Sequence, residues 1–162
     1  KVALDPLLAD RLAPIAAAPP KIIRTLALDE VIEVSGPVLS KSERLDEATL
    51  IEIARTRGQA HLKAISLRRV LSEALSDVLV TRGDEDVVQS TVSNPGAQLS
   101  EGSLADLVTR AERDDDLASC IGLRPDLPRH HYLKLIAKAS LTVRRKLEAA
   151  HPELADDVSS VV

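Results

Sequence analysis

The 162-residue sequence predicts an all-helical fold of stacked two-helix repeats, and two observations predict it. First, leucine recurs at a nearly constant interval, at positions 45, 71, 99, 127 and 154, with spacings of 26, 28, 28 and 27 residues. Second, the chain has no Phe, Trp or Met and one Tyr, so its hydrophobic residues are nearly all aliphatic, a composition that suits close helix packing. A fixed period of this length is typical of repeat proteins, whose units stack along the chain.

The second helix of each repeat is predicted to begin just after a recurring leucine. Asp46, Ser72, Ser100 and Pro128 follow these leucines, and they are residue types that cap or open a helix. Apolar residues come next at helical spacing, and we expect them to be buried: Leu50, Ile53, Leu75, Val78, Leu79, Leu104, Leu107, Val108, Leu133 and Ile136.

The first helix of each repeat is predicted to end six or seven residues before the recurring leucine. The apolar residues at these ends are Leu39, Ile65, Val92, Ile121 and Leu147. The connections that follow contain turn formers, such as Asn94-Pro95-Gly96, Arg124-Pro125-Asp126 and His151-Pro152. Near the start of the chain, Asp5-Pro6 and Pro19-Pro20 predict two further helix starts, and Ile23 and Leu26 hold the positions of the later apolar pairs.

These helices group into five two-helix units and a truncated sixth. The predicted units are 5–29, 30–57, 58–82, 83–113, 114–139 and 140–162, and together they form a single domain. A chain that starts at Lys1 without Met is also consistent with a fragment of a longer protein. A pair of helices of about ten residues does not bury its apolar face alone, whereas stacked pairs share one core. We therefore expect a right-handed α-solenoid of the HEAT or armadillo kind, with a closed helical bundle as the alternative.

Several phrases of the sequence resemble a known family in the same order. They are LALDEVIEVSGPVLSKSERL (26–45), GQAHLKAIS (58–66), LSEALSDVLVTRGDEDVV (71–88), SNPGAQLSEGSL (93–104) and LRPDLP (123–128). The chain resembles, from about residue 20 to 150, a bacterial family described as domain of unknown function 2336. More distantly it is similar to HEAT-like and leucine-rich-variant helical repeats. The resemblance implies an all-helical repeat domain from a bacterium, without an established activity or catalytic residue.

No catalytic, cofactor or metal site is predicted. Adjacent residues on a helix point about 100° apart, so we expect that His130 and His131 cannot both face one metal ion. The motifs HExxH and CxxC are absent, and no third ligand has standard spacing. We expect both histidines to lie on a partly exposed first helical turn. Cys120 lies in the apolar stretch LASCIGL, which favours a buried structural thiol. The nucleotide-binding patterns GxxxxGK[ST] and GxGxxG do not occur.

The cell-adhesion tripeptide Arg82-Gly83-Asp84 has a structural explanation in the sequence. It lies between two predicted helices, where glycine ends one helix and Asp84 caps the next. We therefore do not interpret it as an adhesion site.

Charged residues recur with the repeat and provide the candidate binding residues. Arg57, Arg82, Arg110 and Lys138 end successive second helices and predict a basic stripe, while Asp46, Glu47, Glu73 and Glu101 predict an acidic one. Compensation of helix dipoles is an alternative explanation of both stripes. A basic patch is also predicted near the C-terminus, with Arg124, Arg129 and His130 as candidates, together with His131, Arg144 and Arg145.

The predicted function is that of a non-enzymatic scaffold, which binds a protein or peptide partner along a concave face or the charged edge. One alternative is an enzyme or small-molecule binder that uses Cys120, His130, His131 and Tyr132. Weak nucleic-acid binding by the C-terminal patch is another, although a net charge of −4 and a single aromatic residue count against it. The single cysteine and the lack of an 18-residue apolar run favour a cytoplasmic protein that uses no membrane.

Overall fold

The computed structural model describes residues 5–161 and confirms the all-helical class. Within this range the chain forms twelve α-helices, one 3-10 turn at Pro152–Leu154, and a single isolated β-bridge between Leu71 and Ala97. The helices are α1 (Pro6–Leu12), α2 (Pro20–Ala27), α3 (Ile32–Lys41), α4 (Glu47–Thr56), α5 (Gln59–Ser66), α6 (Glu73–Arg82), α7 (Glu85–Ser93), α8 (Glu101–Ala111), α9 (Asp115–Gly122), α10 (Arg129–Lys138), α11 (Leu141–Ala150) and α12 (Ala155–Val161).

The predicted helix starts are confirmed. Asp46, Ser72 and Ser100 each occupy the N-cap position, and each side chain accepts a hydrogen bond from the backbone N–H three residues later. Asp5 caps α1, although its side chain accepts from the backbone of Leu7 instead. These bonds satisfy donors that have no partner inside the helix. Local sequence therefore decides where these helices begin.

The described helices divide into two compact units, which we describe separately. Unit 1 ends at Leu99 and unit 2 begins at Ser100, so the division falls between α7 and α8. The sequence predicts one domain, and this division lies inside its predicted segment 83–113. Each of the six predicted segments contains two of the α-helices.

Within each unit, helices that are one repeat apart lie side by side. In unit 1 the first helices of the repeats, α3, α5 and α7, contact one another in succession, and the second helices α4 and α6 also contact each other. In unit 2 the first helices are α9 and α11, which are in contact, and the second helices α8, α10 and α12 contact in succession. Within unit 1, α2 departs from this pattern and packs on α3.

The apolar positions near the ends of the first helices are completely buried. Each lies within three residues of the end of its helix, as predicted, and each is 0% exposed: Leu39, Ile65, Val92, Ile121 and Leu147. Two predicted core positions on the second helices, Val78 and Leu133, are only half-buried. Val78 borders a surface groove between α4 and α6. In α10 the buried stripe runs through His131, Tyr132, Leu135 and Ile136, and this leaves Leu133 at its edge.

Among the described helices, none combines the length and the apolar character that a membrane span requires.

Candidate functional site

Arg57 and Arg82 lie at the C-terminal ends of the second helices of unit 1, where the sequence predicts a basic stripe. Both side chains bind backbone carbonyls of the preceding repeat. Arg57 Nη2 donates to the carbonyl of Leu28 at 2.7 Å. Arg82 Nη1 donates to the carbonyls of Ala54 and of Arg57, the latter at 3.3 Å. Carbonyls at a helix C-terminus have no partner inside the helix, so these arginines complete the hydrogen bonding of the fold.

Residues that follow the first helices make the same kind of contact. Arg68 donates to the carbonyls of Leu39 and Ser42, at 2.7 Å each, and thereby closes the C-terminal end of α3. Burial lowers the pKa of Arg68, although an arginine remains charged at neutral pH. In unit 2, His151 Nε2 lies 2.8 Å from the carbonyl of Gly122 at the end of α9. We call Arg57, Arg68, Arg82 and His151 the carbonyl clamps.

Four of the other predicted cations, Arg110, Arg124, Arg129 and Lys138, lie against carboxylates of unit 2. Arg124 is buried and binds both carboxylate oxygens of Asp126, at 2.9 and 2.7 Å. The remaining ion pairs are Arg110 with Asp106 at 2.6 Å, Lys138 with Glu112 at 3.1 Å, and Arg129 with Asp157. These carboxylates neutralise much of the predicted basic patch.

His130 and His131 converge on Glu101, and the expectation that the two rings cannot face one point is wrong. Glu101 is the first residue of α8, and the histidines are the second and third residues of α10. Their Nε2 atoms lie 3.0 and 2.7 Å from the same oxygen, Glu101 Oε1, and the ring centroids are 4.1 Å apart. The Cα–Cβ directions of neighbouring helical residues diverge, but two side-chain torsions bring the ring tips together.

The burial of the two histidines also differs from the prediction of a shared, partly exposed turn. The His131 side chain is 3% exposed, whereas that of His130 is 61% exposed. The hydrogen bond from His130, followed by that from His131, holds the pKa of Glu101 below its ordinary value of 4.5. Glu101 therefore remains ionised at neutral pH. The ligand atoms of the three residues all lie within 4.8 Å of one another, an arrangement that could hold a metal ion.

The repeat period contained the signal that sequence analysis missed. Glu101 lies 28 residues before Arg129, which is one repeat period. Glu101 and Arg129 therefore hold the same repeat position, and His130 is the next residue after Arg129. Since α8 and α10 contact each other, residues that share a repeat position come close in space.

Tyr132 and Cys120 are the two other residues of the alternative enzyme or small-molecule site that the sequence suggests. The Tyr132 ring packs edge-to-face on His151, with centroids 5.1 Å apart, whereas His130 and His131 contact Glu101. Burial raises the pKa of Tyr132, and its hydroxyl has no hydrogen-bond partner within residues 5–161. Cys120 lies on α9 and is half-buried, less enclosed than expected. The aromatic side chains of α10 thus divide between two separate contacts.

The Arg82-Gly83-Asp84 segment has the structural role that the sequence predicts. Gly83 follows the last residue of α6, and Asp84 caps α7 by accepting from the backbone of Val87 at 2.9 Å. A Cβ on Gly83 would lie 2.4 Å from the carbonyl oxygen of Leu79 on α6 and 2.5 Å from Val87 Cγ1 on α7, so the close approach of the two helices requires glycine there.

Each unit also has a groove between two of its second helices. The groove of unit 1 has a volume of about 410 Å³ and lies between α4 and α6; its lining includes Arg55, Val78 and Thr81. The groove of unit 2 has a volume of about 310 Å³ and lies between α8 and α10. Its lining consists of Ala105, Val108, Thr109, Glu112, His131, Lys134 and Lys138.

Comparison with known proteins gives one family match. The model of a family described as "uncharacterised protein conserved in bacteria (DUF2336)" matches residues 34–162. No curated protein and no solved structure matches the chain.

Proposed function

The chain belongs to the bacterial family DUF2336, and we propose that it is a non-enzymatic helical-repeat scaffold that binds an acidic peptide segment of a partner protein. In this proposal the repeats form a right-handed α-solenoid, and the partner occupies grooves between second helices. An extended repeat surface suits such binding, because a peptide can make similar contacts with successive repeats.

The stacking of helices inside each unit supports the solenoid architecture. From α3 onward in unit 1, and throughout unit 2, first helices contact first helices and second helices contact second helices one repeat apart, whereas α2 packs on α3. The carbonyl clamps also join residues that are 25 to 29 positions apart, close to the period of the sequence. Nearest-neighbour contacts of this kind are the hallmark of solenoid proteins.

The recurrence of the groove is the observation that carries the binding proposal. On the first wall of each groove, Arg55 and Thr109 each lie ten residues after the recurring leucine that precedes their helix; on the second wall, Val78 and Lys134 each lie seven residues after theirs. Both grooves therefore occupy the same place in the repeat. A surface feature that returns with the repeat is suited to an extended ligand with a matching periodicity.

The lining of the unit 2 groove defines the chemistry of the partner. Ala105 and Val108 supply apolar surface, and Lys134 and Lys138 supply exposed positive charge at the same groove. Glu112 compensates Lys138, at 3.1 Å. A peptide carboxylate can replace Glu112 as the partner of Lys138 and pair with Lys134, so a segment with acidic and small apolar residues fits best.

Affinity capture from the source bacterium tests this proposal. The bait is the full chain, and K134E/K138E is the groove variant. R145E/K146E makes the same charge change on α11, a first helix, and is the matched control. We expect a partner that wild type and the control variant recover equally, and that the groove variant and high salt release. Recovery of the same partners by all three baits would refute the groove as the binding surface.

Lys134 and Lys138 are better sites for charge reversal than Arg82 and Arg110. Arg82 binds two backbone carbonyls, so its reversal would disturb the fold as well as any binding surface. Arg110 forms an ion pair with Asp106 within α8. Circular dichroism of each purified bait confirms that the lysine variants retain the helical fold.

The proposal also includes the cellular location of the scaffold and the choice between a protein and a nucleic acid as its partner. We infer that the scaffold acts in the cytoplasm, since its single cysteine forms no disulfide within the chain. The ion pairs of Arg124 and Arg129 count against nucleic-acid binding by the C-terminal patch, because phosphate binding would have to displace their carboxylates.

A further inference from the structure

We propose that Glu101, His130 and His131 form a Zn²⁺ site that joins α8 to α10 within unit 2. All three ligands belong to the chain itself, so the site needs no partner to form, although His131 also lines the unit 2 groove. Two imidazole nitrogens and one carboxylate oxygen are a ligand set typical of Zn²⁺ sites that keep an open fourth position.

The positions of the three side chains already approximate such a site. The two Nε2 atoms lie 3.0 and 2.7 Å from Glu101 Oε1, and all three ligand atoms lie within 4.8 Å of one another. Zinc bonds of about 2.0–2.1 Å in a tetrahedron place ligand atoms about 3.3 Å apart. The distance between any two of the ligand atoms therefore has to shorten by no more than about 1.5 Å. The side chains of Glu101 and His130 are more than half exposed and can make this adjustment at the surface.

The chemistry of binding follows from the hydrogen bonds that the metal would replace. Each Nε2 now faces a carboxylate oxygen, which only accepts, so each Nε2 carries its proton. On binding, each Nε2 offers its lone pair to Zn²⁺: a neutral ring then carries its proton on Nδ1, and an imidazolium ring, which already has a proton on Nδ1, releases its Nε2 proton to solvent. The carboxylate exchanges two hydrogen bonds for one metal bond. Water fills the fourth position, on the side where His130 and Glu101 are exposed.

The surroundings of His131 set the expected affinity. Its Nδ1 is buried and has no hydrogen-bond partner among the described residues. A metal-bound histidine usually donates its second nitrogen to an acceptor, and loss of that partner typically weakens metal affinity about 10- to 100-fold. We therefore expect a dissociation constant in the micromolar range rather than the nanomolar range.

Direct titration with Zn²⁺ tests the site. The untagged full chain is treated with a chelator, dialysed and titrated with ZnCl₂ by calorimetry. We expect one Zn²⁺ per chain in wild type, and binding at least about tenfold weaker in E101Q and in H130A. E73Q is the matched control, because Glu73 is the first residue of α6 and lies 28 residues before Glu101. We expect E73Q to bind Zn²⁺ as wild type does.

Stability and spectroscopy give two further readouts of the same site. Because the metal binds only the folded state, Zn²⁺ should raise the thermal midpoint of wild type and E73Q by more than it raises the midpoints of E101Q and H130A. Co²⁺ should give wild type the visible absorption of a four-coordinate site, which both ligand variants lose. The site is refuted if E101Q and H130A bind Zn²⁺ with wild-type affinity, or if wild type binds only above about 1 mM. Both ligand variants change exposed side chains, so their folding is not at risk.

Discussion

At the residue scale, helix caps and glycines have specific roles that the structure makes visible. Asp46 accepts hydrogen bonds from the backbone N–H of Thr49 at 3.2 Å and from its hydroxyl at 2.6 Å. The bond from the Thr49 hydroxyl is the main cause that holds the pKa of Asp46 below its ordinary value of 3.8. Gly122 lies on α9 where α11 packs against it, and a Cβ there would lie 2.5 Å from Leu147 side-chain atoms.

We expect Asp46→Ala to lower the free energy of unfolding by about 1 kcal/mol at pH 7, because α4 loses its N-cap. A lowered pKa means that ionised Asp46 stabilises the fold above pH 3.8, and that this contribution disappears as the pH falls through the lower, folded-state pKa. The measurement is urea unfolding at pH 7 and pH 3, with Glu52→Ala on the exposed side of α4 as the control. An equal cost at both pH values would contradict the assignment.

We expect Gly122→Ala and Gly102→Ala to change stability in opposite directions. The first inserts a methyl group against Leu147 and should cost about 1–3 kcal/mol through overpacking. The second lies on an exposed part of α8, where its Cβ would approach nothing closer than Ser100 Oγ at 3.9 Å. Gly102→Ala should therefore stabilise the helix by about 0.5–1 kcal/mol. Thermal unfolding of both variants checks this, and equal midpoints would show that the close packing of α9 on α11 is wrong.

At the element scale, the carbonyl clamps explain why cations recur with the repeat. Arg68 follows α5 and binds the C-terminal carbonyls of α3, the first helix of the previous repeat. Arg82 makes the corresponding bonds to the end of α4. A regular charge pattern, which alone suggests a binding stripe, thus also arises from the contacts that hold successive helices in register.

We expect Arg68→Met to lower the free energy of unfolding by about 1.5–3 kcal/mol. The reason is that the variant loses a charged donor, and the partly buried carbonyls of Leu39 and Ser42 lose their hydrogen-bond partner. Arg69→Met is the control, because Arg69 is the exposed neighbour with the same charge. Amide hydrogen exchange should show faster exchange at the C-terminal turn of α3 in the Arg68 variant alone. Equal stability of the two variants would show that the clamp contributes nothing.

At the scale of the whole molecule, the chain consists of two compact units. The sequence contains one Tyr, which lies in unit 2, and no Phe or Trp. Tyr132 is buried in unit 2, so tyrosine fluorescence reports on that unit, whereas circular dichroism reports on all helices.

We expect Gly122→Ala to lower the urea midpoint seen by Tyr132 fluorescence more than the midpoint seen by circular dichroism. The reason is that most contacts of each helix lie within its own unit, so the packing defect acts first in unit 2. The two probes are read in the same titration, with wild type as the reference. Coincident shifts of both midpoints would show that the chain unfolds as one cooperative structure.

The sequence by itself determined the helical class, the repeat period, the capped starts of the second helices and the apolar positions near the ends of the first helices. These features depend on signals only a few residues long, such as Asp46 before α4 or the apolar position Ile65. The match to DUF2336 agrees with the resemblance of the same phrases.

Only the tertiary structure decided what the charged residues and histidines do. Arg57 and Arg82 satisfy carbonyls of the preceding repeat, and His130 and His131 converge on a carboxylate that lies 29 and 30 residues before them. Hydrogen bonding and metal coordination depend on distances of about 2–3 Å. Between residues one repeat apart, such distances are fixed by how neighbouring helices stack, and no local pattern in the sequence encodes them.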